Sequence, residues 1–200
     1  REMSLGGTLF LVNRDFVLAS DYKPDDLVKP DVRLTYPDIT MRKEAAEALE
    51  NMFAAAREEG GYTLIGVSGF RSYGQQAAIY ERKIKNAGIR QAALLVAPPG
   101  ASEHQLGLAM DLGTPQNQKL NEAFGDTDAG AWVRENCHRF GFIIRYKEEW
   151  TDITGYADEP WHVRYVGEEH AKRIYEMDIP LEYYIDTLRQ AQYDQLTEER

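Results

Sequence analysis

The clearest periodic pattern in the chain is a run of apolar residues at helical spacing that begins near residue 41. The repeating positions are Met41, Ala45, Ala48, Leu49, Met52, Phe53 and Ala56. They place one apolar stripe on a helix that Thr40 can cap and that Gly60 and Gly61 end. The pattern therefore predicts a helix with one face in the core.

Further helices are indicated by capping residues and by apolar spacing. The Ser72-x-x-Gln75 segment has the form of a capping box, so a second helix is predicted to begin there and to end at Gly88 in a left-handed conformation. Shorter helices are predicted over residues 131–139, 168–177 and 181–193.

Strand signals fall between these helices and indicate the fold class. Strands are predicted at residues 62–68, 106–113, 142–146 and 161–166, with a short one at 9–12. Because helices and strands mix without regular alternation, the predicted fold class is α+β, a single domain whose small, mainly antiparallel sheet is flanked by helices. Residues 1–39 are predicted to form an irregular arm packed on a main domain of residues 40–200.

Composition and charge narrow the function classes. The 200 residues carry a formal net charge of −10, which argues against nucleic-acid binding because no basic surplus can neutralise phosphates. No apolar run approaches the ~18 residues that cross a bilayer, so membrane insertion by this segment is not expected. The single cysteine, Cys137, cannot form an internal disulfide and is expected to be a buried, inert thiol. The chain begins at Arg1, which is compatible with removal of an upstream segment.

The first candidate for chemistry is Asp111 in the predicted strand 106–113. Large apolar residues at every second position give this strand one apolar face, and its other face carries only glycine, alanine and Asp111. The small residues leave space in front of the Asp111 carboxylate, whose burial is costly unless a cation or a metal ion pairs with it. His104 lies just before the strand, in a loop that can bring its imidazole towards that space. On its own this pair is a weak signal, because an exposed loop histidine and a strand aspartate bonded to an arginine would give the same pattern. Together with the next cluster, it predicts a zinc site at the sheet.

A second cluster supplies the rest of a metal site. His162 and Arg164 share one face of a predicted strand, and Glu159 precedes that strand. Two histidines and one aspartate leave the fourth position of a zinc ion open, which is the composition of a catalytic zinc site. Glu159 could then accept a proton from water as a general base. The other histidines, His138 and His170, lie in predicted helices and are not expected to be ligands.

A third cluster surrounds Arg71, at the junction between a predicted strand and a predicted helix. The helix N-terminus adds partial positive charge there, so the position suits a carboxylate or a developing oxyanion. One turn into the helix, Gln76 could present its amide to the same space. The alternative is that Arg71 pairs with an acidic residue on the surface.

Together these clusters resemble the VanY-type D-alanyl-D-alanine carboxypeptidases, including the LdcB LD-carboxypeptidase branch. The matching motifs are Ser68-Gly69-Phe70-Arg71-Ser72 with Gln76, Ser102-x-His104-x-x-Gly107-x-Ala109-x-Asp111, Gly141-Phe142-x-x-Arg145-Tyr146, Thr154-Gly155-Tyr156 and Glu159-Pro160-Trp161-His162-x-Arg164-Tyr165-Val166-Gly167. The resemblance extends over most of the chain, to about Tyr175. Phe70 stands where the family often has tyrosine, a variation that should not affect the metal.

The resemblance implies a zinc-dependent carboxypeptidase that removes the C-terminal D-alanine from peptidoglycan stem peptides. The implied site residues are the zinc ligands His104, Asp111 and His162, the general base Glu159, the oxyanion-stabilising Arg71, and Ser102 and Gln76, which would hold the substrate's terminal residue and its carboxylate. We also expect a monomer that acts outside the cytoplasm, exported or membrane-anchored by a segment absent from this sequence.

Several activities remain open at this stage. The same residues could cut an L,D bond or a D,D bond, release a D-Ala-D-Ala dipeptide, or act as an endopeptidase. A non-catalytic, zinc-stabilised wall-binding module is the alternative from another class. The presence of Glu159 and Arg71 argues against that module, because a structural zinc site needs neither residue.

Overall fold

Helices flank a four-stranded antiparallel sheet in the structure, a computed structural model that describes residues 7–198. The helices are α1 (Lys43–Gly60), α2 (Tyr73–Leu95), α3 (Asp128–Asn136), α4 (Thr151–Thr154), α5 (Glu168–Met177) and α6 (Leu181–Glu198). The strands are β1 (Leu27–Val28), β2 (Met41–Arg42), β3 (Ile65–Ser68), β4 (Ala109–Gly113), β5 (Phe142–Ile144) and β6 (His162–Tyr165). Short 3₁₀ helices cover Glu103–Leu106, Glu122–Phe124, Cys137–Phe140 and Glu148–Trp150. The predicted α+β class is confirmed.

The register of the sheet brings two site strands together. Its strand order is β3-β4-β6-β5, with every neighbouring pair antiparallel. Asp111 of β4 is paired with His162 of β6, and Ser68 of β3 is its partner on the other side. Directly opposite residues on neighbouring strands project to the same face, with Cβ atoms about 4.5–5.5 Å apart. The strand pairing alone therefore places Asp111 beside His162.

The other face of this sheet packs into the main hydrophobic core. The large residues that the alternation predicted to share a face are buried there with their neighbours on β6, namely Leu106, Leu108, Met110, Leu112, Val163 and Tyr165. The apolar stripe of α1 contributes Ala45, Leu49, Met52 and Ala56 to the same core. Burial of these side chains stabilises the sheet from one side, which leaves the face that carries Asp111 available to polar groups.

Two predictions near the start of the chain are wrong. Residues 9–12 do not form a strand, and the carbonyl of Phe10 instead accepts a hydrogen bond from the side chain of Arg164. Thr40 is not the N-cap of α1, because β2 pairs with β1 in an antiparallel ladder between Thr40 and the helix. Tertiary pairing has overridden the local capping signal at this position.

Helix α2 keeps its predicted start but runs beyond its predicted end. Ser72 Oγ accepts a hydrogen bond from the Gln75 backbone N–H at 3.3 Å, and Gln75 Oε1 accepts one from the Ser72 N–H at 2.8 Å, which confirms the capping box. Gly88 has the expected positive φ, of 80°, yet the helix resumes after it as far as Leu95. Gly88 therefore interrupts the helix, as predicted, and a second helical stretch follows it to Leu95.

The remaining helices agree with their predictions to differing degrees. The predicted range 168–177 agrees with α5, whereas α6 continues beyond residue 193. The helix predicted at 131–139 is α3 followed by a 3₁₀ turn. Differences of one or two residues are ordinary at helix ends, but the extension of α6 to Glu198 is longer than that.

The described part of the predicted arm lies against the rest of the chain. Val12 is buried in the main core, and other apolar residues of the arm pack with α5 and α6 in a second apolar cluster. The division into an arm of residues 1–39 and a main domain of residues 40–200 stays a prediction. Residues 1–6 and 199–200 lie outside the described residues.

The state of Cys137 and the character of the helices bear on two expectations drawn from the whole chain. Cys137 is buried, and burial raises the pKa of its thiol to about 12, so the thiol stays protonated and unreactive at neutral pH. This agrees with a buried, inert thiol. Among the described residues, no helix combines the length and the apolar character that crossing a membrane requires.

Gly141→Ala is expected to be strongly destabilising. Gly141 follows the turn Cys137–Phe140 in a left-handed conformation with φ of 82°, which costs a residue with a side chain about 1–2 kcal/mol. The new Cβ would also lie 2.6 Å from Cε2 of Tyr165, which adds about 1–3 kcal/mol because the Tyr165 hydroxyl is held by Glu44 at 2.8 Å. The change in the free energy of unfolding, measured in urea, gives the sum of the backbone cost and the contact cost.

The matched control for this prediction is Gly61→Ala. Gly61 also has a positive φ, of 71°, but no atom lies within 4 Å of the position its Cβ would take. Only the backbone cost of about 1–2 kcal/mol is expected there. Equal losses in the two variants would show that the contact with Tyr165 adds nothing.

Candidate metal centre

Three buried side chains converge where the 3₁₀ turn Glu103–Leu106 meets strands β4 and β6. They are His104 on the turn, Asp111 on β4 and His162 on β6, and one ligand atom of each lies within 4.8 Å of the others. Gly107 ends the turn with φ of 70° and leads the chain into β4. His104 was expected in a loop and lies on this turn, at the side of the strands where space was predicted.

Asp111 lies between the two imidazole rings. Its Oδ2 is 3.2 Å from His104 Nε2, and its Oδ1 is 2.9 Å from His162 Nδ1. The ring centroids are 5.0 Å apart, with an angle of 77° between the ring planes. Two nitrogens and one carboxylate therefore face a common point from different elements of the fold.

The other nitrogen of each ring is held by a hydrogen-bond acceptor. His104 Nδ1 lies 2.7 Å from the carbonyl oxygen of Gly69, and His162 Nε2 lies 3.2 Å from Oε2 of Glu103. Because a carbonyl and a carboxylate can only accept, each of these nitrogens carries the proton. The nitrogens left to bind a metal are His104 Nε2 and His162 Nδ1, the two atoms that face Asp111.

The two histidines differ in protonation when no metal is bound. Burial, together with the charge of Arg71, lowers the pKa of His104 to about 4, so this ring is neutral at pH 7. Burial also disfavours the charged form of His162, but hydrogen bonds with Asp111 and Glu103 outweigh it and raise its pKa to about 9. A metal ion must therefore displace a proton from His162 Nδ1, and metal binding is expected to release that proton.

The chemistry of these donors fits a zinc ion. Two imidazole nitrogens and one carboxylate oxygen are a recognised ligand set for catalytic zinc, in which three protein ligands leave one position open. The acceptors on Gly69 and Glu103 provide the outer hydrogen bonds that such histidine ligands normally have. The fit extends to the charge, because Asp111 supplies the anionic ligand that a divalent ion favours.

Glu159 lies beside the three donors and outside their set. It precedes β6, where its backbone N–H donates to the carbonyl of Tyr146 at 3.2 Å, and its Oε2 is 3.9 Å from His162 Nδ1. Burial raises the pKa of Glu159 to about 7. A carboxylate with a pKa near the working pH can both take up and return a proton, which suits a general base.

Arg71 reaches the site from the segment between β3 and α2. Its Nη2 donates to Asp111 Oδ2 at 3.3 Å and its Nη1 donates to Gln76 Oε1 at 2.9 Å. Its Nε is buried and has no hydrogen-bond partner among the described residues. Arg71 therefore pairs with a buried site residue, not with a surface acid, and it keeps a donor for a bound group.

Gln76 and Ser102 line the same cleft, but part of their hydrogen-bonding capacity is already used. Gln76 accepts from Arg71 and donates from Nε2 to the carbonyl of Ala97 at 2.7 Å. Ser102 Oγ accepts from the backbone N–H of His104 at 3.3 Å, which caps the 3₁₀ turn. Both residues therefore help to place site residues, and Ser102 keeps its hydroxyl proton for another acceptor.

The site opens into a cleft of about 300 Å³. Beyond the polar residues, its walls are formed by Ile79, Leu95, Val96, Leu120, Tyr146, Tyr156 and Trp161. A cleft that combines apolar walls with converging polar groups suits a small ligand or a peptide end.

A group of buried charges next to His162 was not predicted from the sequence. Glu103, Arg145 and Arg164 are fully buried, both arginines contact Glu103, and Glu182 of α6 contacts Arg145. Glu103 adjoins His104 in the chain, and both arginines occur in the motifs, so buried charges could have been sought there. No local signal marks Glu182, which lies 37 positions from Arg145.

The two histidines set aside as ligands lie away from the site. His138 stacks on Tyr175 with ring centroids 3.8 Å apart, and His170 Nδ1 lies 2.7 Å from the hydroxyl of Tyr184. Within the described residues, the cluster able to hold a metal ion consists of His104, Asp111 and His162.

Comparisons with known proteins show which family this chain resembles. Residues 38–168 match the family described as VanY: D-alanyl-D-alanine carboxypeptidase. The putative carboxypeptidase YodJ of Bacillus subtilis (strain 168) is 48% identical over 186 residues, which cover 90% of this chain and 68% of that protein. The chain thus spans about two thirds of the length of this relative.

Solved structures extend the comparison to the whole fold. The structure of the LdcB LD-carboxypeptidase, described in terms of peptidoglycan recognition, is 48% identical, with a TM-score of 0.85 over 91% of this chain and 87% of that one. The D,D-pentapeptidase VanY from a VanB-type vancomycin-resistance cassette, solved as a glutamate-to-alanine mutant with Zn(II), is 35% identical. Its TM-score is 0.75 over 89% of this chain and 98% of that one.

Proposed function

The chain belongs to the VanY family of D-alanyl-D-alanine carboxypeptidases, and on that premise we propose that it is a zinc enzyme that removes the C-terminal D-alanine from peptidoglycan stem peptides. The observation that carries the proposal is the convergence of His104, Asp111 and His162 beside Glu159, at the base of a cleft. A site that only stabilised the fold would need neither this neighbouring carboxylate nor an open cleft.

His104, Asp111 and His162 would hold the metal through the three atoms that face one another. When bound, zinc would supply Lewis acidity, which polarises the scissile carbonyl and lowers the pKa of water. Glu159 accepts the proton of the attacking water and later delivers it to the amine of the departing D-alanine. Its raised pKa, near 7, matches this double task because both protonation states are accessible at neutral pH.

Arg71 is proposed to stabilise the negative charge that develops on the carbonyl oxygen. Its guanidinium is fixed by Asp111 and Gln76 and needs little rearrangement to act, which is the property that makes such a group effective. Its unpartnered Nε supports this assignment. Ser102 and Gln76 are proposed to hold the terminal residue of the substrate and its carboxylate, in addition to placing His104 and Arg71.

The proposed substrate implies a place of action outside the cytoplasm, where peptidoglycan is assembled and trimmed. The LdcB structure is described in terms of peptidoglycan recognition, which supports this substrate class for the present chain. Export or anchoring by a further segment, and a monomeric state, are proposed with it.

The experiment that tests the function uses synthetic stem tetrapeptides and pentapeptides. Loss of one D-alanine is expected in mass spectra after incubation with the protein, from at least one of the two peptides. A strong chelator is expected to abolish this release, and added zinc to restore it, because the Lewis acid would be removed and returned.

Other outcomes of this assay would indicate other activities of the chain. Loss of a dipeptide would indicate a D-Ala-D-Ala dipeptidase, and an internal cut would indicate an endopeptidase. Binding to cell walls without any cleavage would indicate a non-catalytic module. Release that survives chelation would contradict the zinc site but not the carboxypeptidase activity.

A further inference from the structure

Glu103 forms the centre of a buried ionic cluster next to His162. Its Oε1 accepts hydrogen bonds from Arg145 Nε at 2.8 Å and from Arg164 Nη1 at 2.7 Å, and its Oε2 faces His162 Nε2 at 3.2 Å. The side chains of Glu103, Arg145 and Arg164 have no solvent-accessible surface. A carboxylate in such a position is tolerated only because two cations contact it.

Each arginine is also held from its far side. Arg145 donates to both oxygens of Glu182 on α6, at 2.9 and 2.6 Å. Arg164 donates from Nη2 to the carbonyls of Thr8 and Phe10, at 2.8 and 2.9 Å. The two guanidinium groups are therefore fixed by distant parts of the chain, and they fix Glu103 in turn.

We propose that Glu103 is a positioning residue of the metal centre, holding the His162 ring with Nδ1 turned towards Asp111 and the metal position. The inference rests on the proposed zinc site. Glu103 carries two close arginine contacts, so its carboxylate accepts only and the proton of His162 stays on Nε2. Rotation of the ring by half a turn about the Cβ–Cγ bond would place the carbons Cδ2 and Cε1 where Nδ1 and Nε2 now face Asp111 and Glu103, so both contacts would be lost.

The Glu103–Arg145–Arg164 cluster could instead serve only to join the ends of the chain to the sheet. The two roles make different predictions for Glu103 and Glu182. Both glutamates pair with Arg145, but Glu103 alone of the two contacts His162. Glu182→Gln therefore weakens the cluster without touching a ligand, and it is the matched control for Glu103→Gln.

The test compares zinc affinity, measured by competition with a chromophoric chelator, in the unchanged protein and the two variants. Glu103→Gln is expected to weaken zinc binding by about 10–100-fold, the usual cost of losing a partner of a ligand histidine. Glu182→Gln is expected to lower the urea midpoint of the metal-free protein while zinc affinity stays within about threefold. The absorption spectrum of bound Co²⁺, which reports ligand geometry, is expected to change in Glu103→Gln alone.

A further variant covers the case in which Glu103→Gln does not fold. Glu103→Asp keeps the charge beside Arg145 and Arg164 but withdraws the carboxylate from His162 by one methylene group. It is expected to fold and still to bind zinc more weakly than the unchanged protein.

The outcomes separate this inference from the proposed function. Equal zinc affinity in the Glu103 and Glu182 variants would overturn the role of Glu103 and leave the zinc peptidase intact. Zinc binding without D-alanine release by the unchanged protein would overturn the peptidase, and the affinities would still decide the role of Glu103. An unchanged protein that binds no zinc would overturn both.

Discussion

Glu159→Gln is expected to lower kcat for D-alanine release by about 10²–10⁴-fold while the protein still binds one zinc ion. Glutamine has the shape of glutamate but cannot take up the proton of the attacking water. Glu159 lies 3.9 Å from His162 Nδ1 and outside the three-donor set, so zinc affinity should change little. Single-turnover rates on a stem peptide and zinc analysis of the purified variant measure the two quantities.

Asp158→Asn provides the control for this prediction. It removes a carboxylate one position away, and Asp158 does not line the cleft that contains the metal site. Near-normal turnover is expected from it. If Glu159→Gln also turns over normally, another group accepts the proton. If Glu159→Gln loses its zinc, Glu159 is a ligand and not a base.

The stability of the metal-free protein is expected to change with pH as Glu159 titrates. Burial raises the pKa of Glu159 from 4.5 to about 7, so the folded state binds a proton more tightly than the unfolded state. The contribution of Glu159 to the free energy of unfolding is therefore present below pH 4.5 and is lost as pH rises from about 4.5 to 7. Glu159→Gln removes this loss, and its metal-free form should be at least as stable as the unchanged protein at pH 7.

The arrangement of β4 shows how far local sequence can lead. Alternation of large and small residues correctly assigned Leu108 and Met110 to the core and Asp111 to the opposite face. The same rule placed His162 and Arg164 together on β6. Period-two patterns carry this information because the side chains of a strand alternate between its two faces, whatever the rest of the fold does.

Features that depend on distant residues could not be obtained in this way. Thr40 does not cap α1, because β2 pairs with β1 just before the helix. The apolar residues at 9–12 pack against the rest of the chain without forming a strand. The pairing of Glu103 with Arg145 joins positions 42 apart, and a sequence pattern records no such distance. Local periodicity identifies which face a residue occupies, but only tertiary structure identifies what faces it.

His104→Ala is expected to weaken zinc binding by more than the ~100-fold that losing an outer hydrogen-bond partner can cost, and to reduce D-alanine release to the background level. The variant retains one nitrogen and one carboxylate as donors, too few for the three-ligand set of a catalytic zinc site. Activity should recover only in part at high zinc concentration, because the remaining donors no longer fix the ion beside Glu159. Zinc titration and peptide assays at several zinc concentrations measure both effects.

His138→Ala is the matched control, since it removes the same side chain from a position outside the site, where His138 stacks on Tyr175. Zinc stoichiometry and turnover are expected to stay unchanged in it. Circular dichroism of both variants separates loss of a ligand from loss of the fold. A folded His104→Ala protein that keeps full zinc affinity would show that the metal is held elsewhere. A folded variant that loses zinc but still releases D-alanine would show that the reaction does not require the ion.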